Sequence, residues 1–294
     1  MINISLVGIG YWGSNILREL RQVDGVGDIE EIDIKDGKDI DSVTHDNVIL
    51  ATPAWDHKDQ VIRLLNQGKN LYVEKPLALT CTDCCIIKSF LRDQTLMVGH
   101  IFLYNDRVKK IKELLPRIGN IQYIESNRLN WGRFQKKITT LDSLATHDIS
   151  MIHYFLGEHE FRNVKHSGHK FSKFEQNDRD EFEFTCNNIP IKFNMSWYYP
   201  DKQRTTVIIG DKGTIFWDEQ TKVIRLQTNI WEGDRMNYQP TVEEFKIECN
   251  PLRNELQHFV DCVRNNTKPT TDVDNAIAVA KNLDLLAKSF AQYS

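Results

Sequence analysis

The chain has 294 residues, 40% of them hydrophobic and 27% charged, the profile of a globular protein long enough for two domains. Its formal net charge of −4 gives no basic footprint for nucleic acid, and no apolar run approaches the ~20 residues a membrane helix needs. Met1 leads directly into an expected strand, so no signal peptide is expected. The six cysteines lack paired spacing, so reduced thiols and a cytoplasmic setting are expected.

Ile2 to Val7 reads as a buried parallel strand that breaks into Gly8-x-Gly10-x-x-Gly13, and an amphipathic run follows at Ile16, Leu17 and Leu20. Strand, glycine turn and helix are the context of a dinucleotide fingerprint. One glycine makes the tight turn, one lets backbone approach the pyrophosphate, and one allows helix–strand packing. The helix N-terminus adds N–H groups for the phosphates. Gly8, Gly10, Tyr11, Trp12 and Gly13 are candidate cofactor contacts, with a merely structural turn as the alternative.

After a turn-rich stretch, Asp24 to Asp28, a short strand is expected from Ile29 to Ile34. Asp33 lies twenty positions beyond Gly13, where such folds place an acid on the ribose hydroxyls that also repels a 2′-phosphate. NAD is the expected cofactor. Asp36 is the substitute acid, and Lys35 and Lys38 leave NADP open. Ile34 to Asn47 is short for a parallel crossover and rich in Asp, Lys and Gly. One or two helical turns around Lys38 to Val43 are expected, with a helix, or a helix and a strand, missing beside the adenine.

Alternation then resumes: strand Val48 to Ala51, loop Thr52 to His57, helix Gln60 to Leu65 ended by Gly68, and strand Asn70 to Val73 ending in Glu74-Lys75-Pro76. A helix at Thr80 to Arg92 and a strand at Thr95 to His100 follow. This pattern predicts a parallel sheet with helices on both faces and ligands at the carboxyl ends of its strands. Thr52, Pro53, His57, Glu74, Lys75 and Pro76 fall there and join the candidate cofactor contacts. Lys75 is either a surface lysine or one turned into a cleft, where desolvation lowers its pKa for proton transfer; Pro76 suits a turn with a cis bond. Cys81, Cys84 and Cys85 follow the helix cap Thr80 without a matching Cys/His pair, which predicts a buried helix face and no metal site.

From Ile121 the texture changes. A long strand, Ile121 to Trp131, leads into a basic, polar loop reaching Thr140. A helix from Leu141 to Leu156 carries Thr146-His147-Asp148 and stops at Gly157. Strands are expected at Asn163 to Phe171, Arg179 to Cys186, Ile191 to Tyr198, Thr205 to Gly210 and Thr214 to Trp217. Val223 to Gln227 and Val242 to Ile247 are weaker candidates, and Pro190 and Asp211-Lys212-Gly213 mark hairpins. The tail, Leu252 to Val263 and Val273 to Ser294, is helical. The expected fold is an α/β Rossmann domain, shortened after its second strand, over residues 1–118. An α+β domain with a large, mostly antiparallel sheet and C-terminal helices follows over 119–294. Trp197, Tyr198, Tyr199, Phe216 and Trp217 along that sheet offer an apolar face to a second subunit, so a homodimer or homotetramer is expected. His147 has Asp148 beside it and Ser143 one turn earlier. It is either a capped structural residue or a general base of near-neutral pKa.

In this order, Gly8-x-Gly10-x-x-Gly13, Ala51-Thr52-Pro53-x-x-x-His57, Glu74-Lys75-Pro76 and His147-Asp148-Ile149 resemble the motifs of the Gfo/Idh/MocA oxidoreductases, over nearly the whole chain. Val73 to Thr80, Ser126 to Asn130, Thr146 to Ser150, Ser196-Trp197 with Pro200-Asp201-Lys202, and Pro251-Leu252-Arg253 are similar to the UDP-N-acetylglucosamine (and uronic acid) 3-dehydrogenase branch. The resemblance implies an NAD(P)-dependent sugar dehydrogenase acting on a CH–OH group. Hydride would move between C3 of a nucleotide-linked amino sugar and the nicotinamide, in surface-polysaccharide or unusual-sugar synthesis. It implies that Lys75 lies between the substrate hydroxyl and the cofactor ribose, that His147 exchanges the hydroxyl proton, and that Tyr104, Arg128, Ser143 and Lys202 face the sugar nucleotide, Arg128 as the phosphate or carboxylate partner. Two departures stand out. Ser143 occupies the place of a common family Asp, and the neighbouring Asp142 is rotated by about 100° on a helix. The Ile34–Asn47 segment is short. An NADPH-dependent 3-keto-deoxysugar reductase and a binding protein of weakened catalysis are the alternative readings.

Overall fold

The computed structural model describes residues 1–132, 139–173, 177–233, 235–237 and 239–292. Its first elements are β1 (Ile2–Val7), α1 (Tyr11–Leu20), β2 (Val26–Ile32), β3 (Asn47–Leu50), α2 (Ala54–Asn66), β4 (Asn70–Glu74), α3 (Cys81–Phe90), β5 (Leu96–Gly99) and α4 (Asp106–Leu114). Then come β6 (Ile121–Trp131), α5 (Thr146–Leu156), β7 (Arg162–His169), β8 (Arg179–Cys186), β9 (Ile189–Ser196), β10 (Tyr198–Gly210), β11 (Gly213–Asp218) and β12 (Val223–Thr228). The short hairpin β13 (Trp231–Glu232) and β14 (Arg235–Met236), then β15 (Thr241–Lys246), α6 (Pro251–Asn265) and α7 (Val273–Lys288), complete the chain.

These elements form two compact units, Met1–Asn105 with Asn250–Lys281, and Asp106–Cys249 with Asn282–Ser294. The expected ranges, 1–118 and 119–294, follow the change in strand texture and place both C-terminal helices in the second domain. The packing instead gives α6 and most of α7 to the first unit. Leu256, Phe259 and Val260 of α6 are wholly buried, and Val273, Ala276 and Ala280 of α7 share a core with Val48, Leu71 and Val98. Glu19 of α1 accepts from Arg253 and Asn250, at 2.9 and 2.7 Å, which pins the start of α6 to α1.

Among the described residues the first unit holds a five-stranded sheet in the order β2-β1-β3-β4-β5, parallel throughout. Every described residue of β3 and β5 is buried, Asn47 included, as expected of parallel strands covered by helices on both faces. The chain leaves β1 for β2 on one side and returns to β3 on the other, so the carboxyl ends of β1 and β3 flank a topological switch point. The shortened segment is visible as two single 3-10 turns, Ile34–Asp36 and Ile40–Ser42. β2 is left at the edge of the sheet. α2 starts at Ala54, directly after Pro53, so the expected loop to His57 is largely its first turn.

The second unit holds an eight-stranded sheet in the order β15-β12-β11-β10-β6-β9-β8-β7. Its pairs are antiparallel except β6–β9, the large, mostly antiparallel sheet expected. Asn187 and Asn188, with φ of 51° and 62°, make the tight turn between β8 and β9 that the twist of a two-residue hairpin favours. The basic loop expected before Thr140 falls largely on 133–138, outside the described residues. α4 was not expected, although Val108, Ile111 and Leu114 are its buried stripe. Of the aromatics assigned to a subunit face, Trp197 and Trp217 are buried in this unit's own core, whereas Tyr198 is exposed. No helix among the described residues is long and apolar enough to cross a membrane.

Candidate functional site

The glycine turn sits at the switch point. Gly8 adopts φ +92° and a Cβ there would meet the Ala51 carbonyl oxygen at 2.8 Å, while a Cβ on Gly13 would lie 1.9 Å from the Gly8 carbonyl oxygen. Both glycines are therefore packing requirements. A Cβ on Gly10 would meet nothing within 4 Å. Gly10 is the N-cap of α1 and supplies no side-chain cap, and the N-terminus of a helix carries a partial positive charge that suits an anion. Open space over an uncapped helix start fits a pyrophosphate.

Asp33 is buried. Its Oδ2 accepts from the Ile9 N–H at 2.7 Å and its Oδ1 from the Lys35 N–H at 3.0 Å. Those two N–H groups, the Lys35 one foremost, hold its carboxyl below the usual range. Each carboxylate oxygen keeps a lone pair for a ribose hydroxyl, while Asp36 is exposed on the following turn.

At the ends of β3 and β4, Thr52 donates to Gln60 at 2.6 Å, and the Lys75–Pro76 bond is cis. His57 is 1% exposed, with Nδ1 2.7 Å from the Pro76 carbonyl and Nε2 2.9 Å from the Thr52 carbonyl. Burial pushes its pKa down, against the pull of the two carbonyls. A neutral ring has one N–H to give, so His57 donates to one of these carbonyls and packs against the other, linking the Thr52 loop to the Lys75-Pro76 loop, a structural role where a cofactor contact is expected. Glu74 accepts from Trp12 Nε1 at 2.6 Å, which joins the glycine turn to the residue before Lys75. Burial pushes the Glu74 carboxyl above its usual range, and Trp12 and Lys75 offset that only in part. Lys75 itself is half-buried.

Tyr104 also departs from expectation. It is buried in the first unit, with its hydroxyl 2.9 Å from Thr271 Oγ1 and its ring against His258, so it packs the core instead of facing a sugar. On α3, Cys84 is buried, Cys81 half-buried and Cys85 exposed, so the cysteines do not share one buried face.

In the second unit, Leu141–Ala145 forms a π-helical turn that runs into α5. From Leu144 to His153 every residue is buried except His147, which stands half-exposed on the first turn. Asp142 caps the turn by accepting from the Thr139 N–H and hydroxyl at 3.1 and 2.7 Å; Ser143, beside it, is half-buried. Arg128 is buried with Nε 2.6 Å from Asp148 and Nη2 2.9 Å from Glu219. Burial works against its charge, but the two carboxylates outweigh burial and keep it ionised. Arg128 is thereby neutralised inside the protein and is not the expected phosphate partner; through Asp148, which Ser126 also bonds at 2.9 Å, it anchors the His147 helix to β6. Lys202 is exposed on β10. Tyr72, Gly99 and Glu255 cluster behind Glu74 and were missed from the sequence. The signal for Glu255 was a lone acid within the apolar stripe Leu252, Leu256, Phe259.

A family model for the NAD-binding Rossmann fold of the Gfo/Idh/MocA oxidoreductases matches residues 29–102, and one for their C-terminal alpha/beta domain matches residues 112–294. The chain belongs to the Gfo/Idh/MocA oxidoreductase family. It is thus an NAD(P)-dependent oxidoreductase, with NAD as the cofactor of its first unit. An uncharacterized oxidoreductase of Streptococcus pneumoniae serotype 4 is 27% identical over 316 residues, covering 96% of this chain and 81% of the relative. A 2,7-anhydro-N-acetylneuraminate hydratase of Escherichia coli K12 is 25% identical over 256 residues, covering 75% of this chain and 68% of the relative. Among solved structures, a UDP-N-acetylglucosamine 3-dehydrogenase from Acidithiobacillus ferrooxidans shares the fold with a TM-score of 0.85 at 15% identity, covering 98% of this chain and 97% of the other.

Proposed function

We propose that this oxidoreductase acts in the cytoplasm on a nucleotide-linked amino sugar, moving hydride to or from its C3 during surface-polysaccharide or unusual-sugar synthesis. The observation that carries the reading is the Trp12–Glu74 hydrogen bond at 2.6 Å. That bond ties Glu74, the residue before Lys75, to the glycine turn, and this supports a Lys75 held beside the cofactor. Bound NAD supplies a hydride acceptor at the nicotinamide. Gly8, Gly10, Tyr11, Trp12, Gly13, Thr52, Pro53 and Pro76 line the cofactor, and Asp33 takes the ribose hydroxyls. Lys75 holds the sugar hydroxyl, and His147 takes its proton at near-neutral pH. Ser143 and Lys202 contact the sugar nucleotide, and the sheet of the second unit joins copies into a homodimer or homotetramer. The 3-dehydrogenase with which the fold is shared supports this choice of substrate.

Mixing the protein with NAD⁺ and UDP-N-acetylglucosamine or its uronic acid is expected to raise NADH absorbance. Lys75→Met should lower kcat about 100-fold or more, as loss of a group that positions the reacting hydroxyl does. A protein that binds NAD⁺ but turns over no sugar nucleotide of a broad panel, in either direction, would refute the reading.

A further inference from the structure

Behind the Lys75 loop the first unit buries a polar chain with more acceptors than donors. Tyr72 on β4 and Glu255 on α6 are both wholly buried. The Tyr72 hydroxyl lies 3.0 Å from Glu74 Oε1 and 3.1 Å from Glu255 Oε2. A phenol has one hydrogen to give, so it donates to one carboxyl group and must accept from the other. Glu74 is built as the charged acceptor: its Oε1 also takes the Trp12 indole hydrogen at 2.6 Å and its Oε2 the Lys75 N–H at 3.3 Å.

Glu255 has no such support. Its Oε1 has no hydrogen-bond partner among the described residues. A buried carboxylate so left is costly, whereas a carboxylic acid has only a neutral carbonyl oxygen at that position. Burial and the nearby Glu74 charge both push the Glu255 carboxyl well above the usual range. Tyr104 is a further titratable group that feels Glu255. The Gly99 backbone packs closely against this chain: a Cβ there would lie 2.7 Å from the Tyr72 hydroxyl and 3.2 Å from Glu74 Oε2.

We propose that Glu255 is a positioning residue: as a neutral acid it donates to the Tyr72 oxygen, which turns the Tyr72 hydrogen onto Glu74 and so fixes Trp12 and the Lys75 backbone. The order of donors is Glu255 to Tyr72 to Glu74, with Trp12 donating to Glu74 from the other side. α6, remote in sequence, thereby sets the register between the glycine turn and the lysine loop. The kinetic consequence rests on the reading of Lys75 given above; the hydrogen-bond chain does not.

Infrared difference spectra of the full chain at neutral pH, Glu255→Gln against wild type, are expected to lose one protonated-carboxyl C=O band. In Tyr72→Phe the same band should persist and move to higher frequency, because its acceptor is gone. Absence of any lost band in Glu255→Gln overturns the proposal, whatever the sugar specificity turns out to be. Glu255→Gln keeps an N–H donor for Tyr72 and should hold NAD⁺ affinity and kcat within about twofold of wild type. Glu255→Leu should weaken each about tenfold, the loss of one buried hydrogen bond to a charged network. Equal losses in the Gln and Leu variants, or none in Leu, also overturn it. Should Glu255→Leu fail to fold, Tyr72→Phe interrupts the same chain and carries the same tenfold expectation.

Discussion

A Cβ at Gly13 would fall 1.9 Å from the Gly8 carbonyl oxygen, whereas one at Gly10 would meet no atom within 4 Å. The same substitution therefore has opposite consequences within one turn. Gly13→Ala forces backbone apart and should destabilise the fold by about 1–3 kcal/mol, as overpacking does, read as a lower Tm. Gly10→Ala should leave Tm unchanged and weaken NAD⁺ binding about tenfold or more, equivalent to ~1.4 kcal/mol, because the methyl would enter the space proposed for the pyrophosphate. Calorimetry and thermal unfolding separate the two; a Gly10→Ala protein that binds NAD⁺ normally would remove the pyrophosphate from this turn. His57 and Arg128 show where residue-level reading stops. Each is a polar side chain in a plausible binding motif, yet each is consumed internally. The acceptors of His57 are backbone carbonyls, which no residue type advertises. Asp148 and Glu219 lie 20 and 91 positions beyond Arg128, and that separation hides them from any local pattern.

At the scale of elements, the parallel strands were legible because apolar runs broken by glycine and proline leave little choice. The boundaries of α2 and β2 were not, since Ala54–Asp59 and Val26–Asp28 are polar enough to read as loop. α5 carries a consequence of its own burial. His153 is buried there, and its Nε2 accepts from Asn282 at 2.7 Å, which requires a neutral ring. Burial lowers its pKa from 6.5 to about 4, with His159 adding to the shift. The folded protein thus binds fewer protons than the unfolded chain between those values, and stability falls as pH drops through that window. The contribution is fully present above the unfolded pKa and amounts to ~3 kcal/mol once lost. His153→Gln keeps an acceptor for Asn282 without titrating, so its Tm should decline less between pH 6.5 and pH 4 than that of wild type. Identical acid slopes in the two proteins would show that His153 is not the group responsible.

At the scale of the molecule, the chain leaves the first unit at Asn105 and re-enters it at Asn250. The cofactor-binding unit is therefore incomplete until nearly the whole chain exists. Composition and strand order suggest a domain ending near residue 118, because the Rossmann alternation finishes there and nothing in α6 or α7 names its partners. Physically the fragment 1–118 lacks Leu256, Phe259 and Val260, all wholly buried, and the Arg253 and Asn250 partners of Glu19. Each large apolar side chain contributes roughly 1.5–3 kcal/mol by burial, so these losses rival the 5–15 kcal/mol that typically separates a folded domain from its unfolded chain. The fragment 1–118 is expected to unfold without a cooperative transition and to bind no NAD⁺. Residues 1–105 joined by a flexible linker to 250–281 should melt cooperatively and bind the cofactor. Circular dichroism melts with calorimetry make the comparison, and cooperative melting with NAD⁺ binding by 1–118 would show that α6 and α7 are dispensable. If the joined fragment alone succeeds, the middle segment is an insertion into the cofactor unit. Substitutions in α6 would then be expected to act on cofactor binding, even though the helix begins more than a hundred residues after the last Rossmann strand.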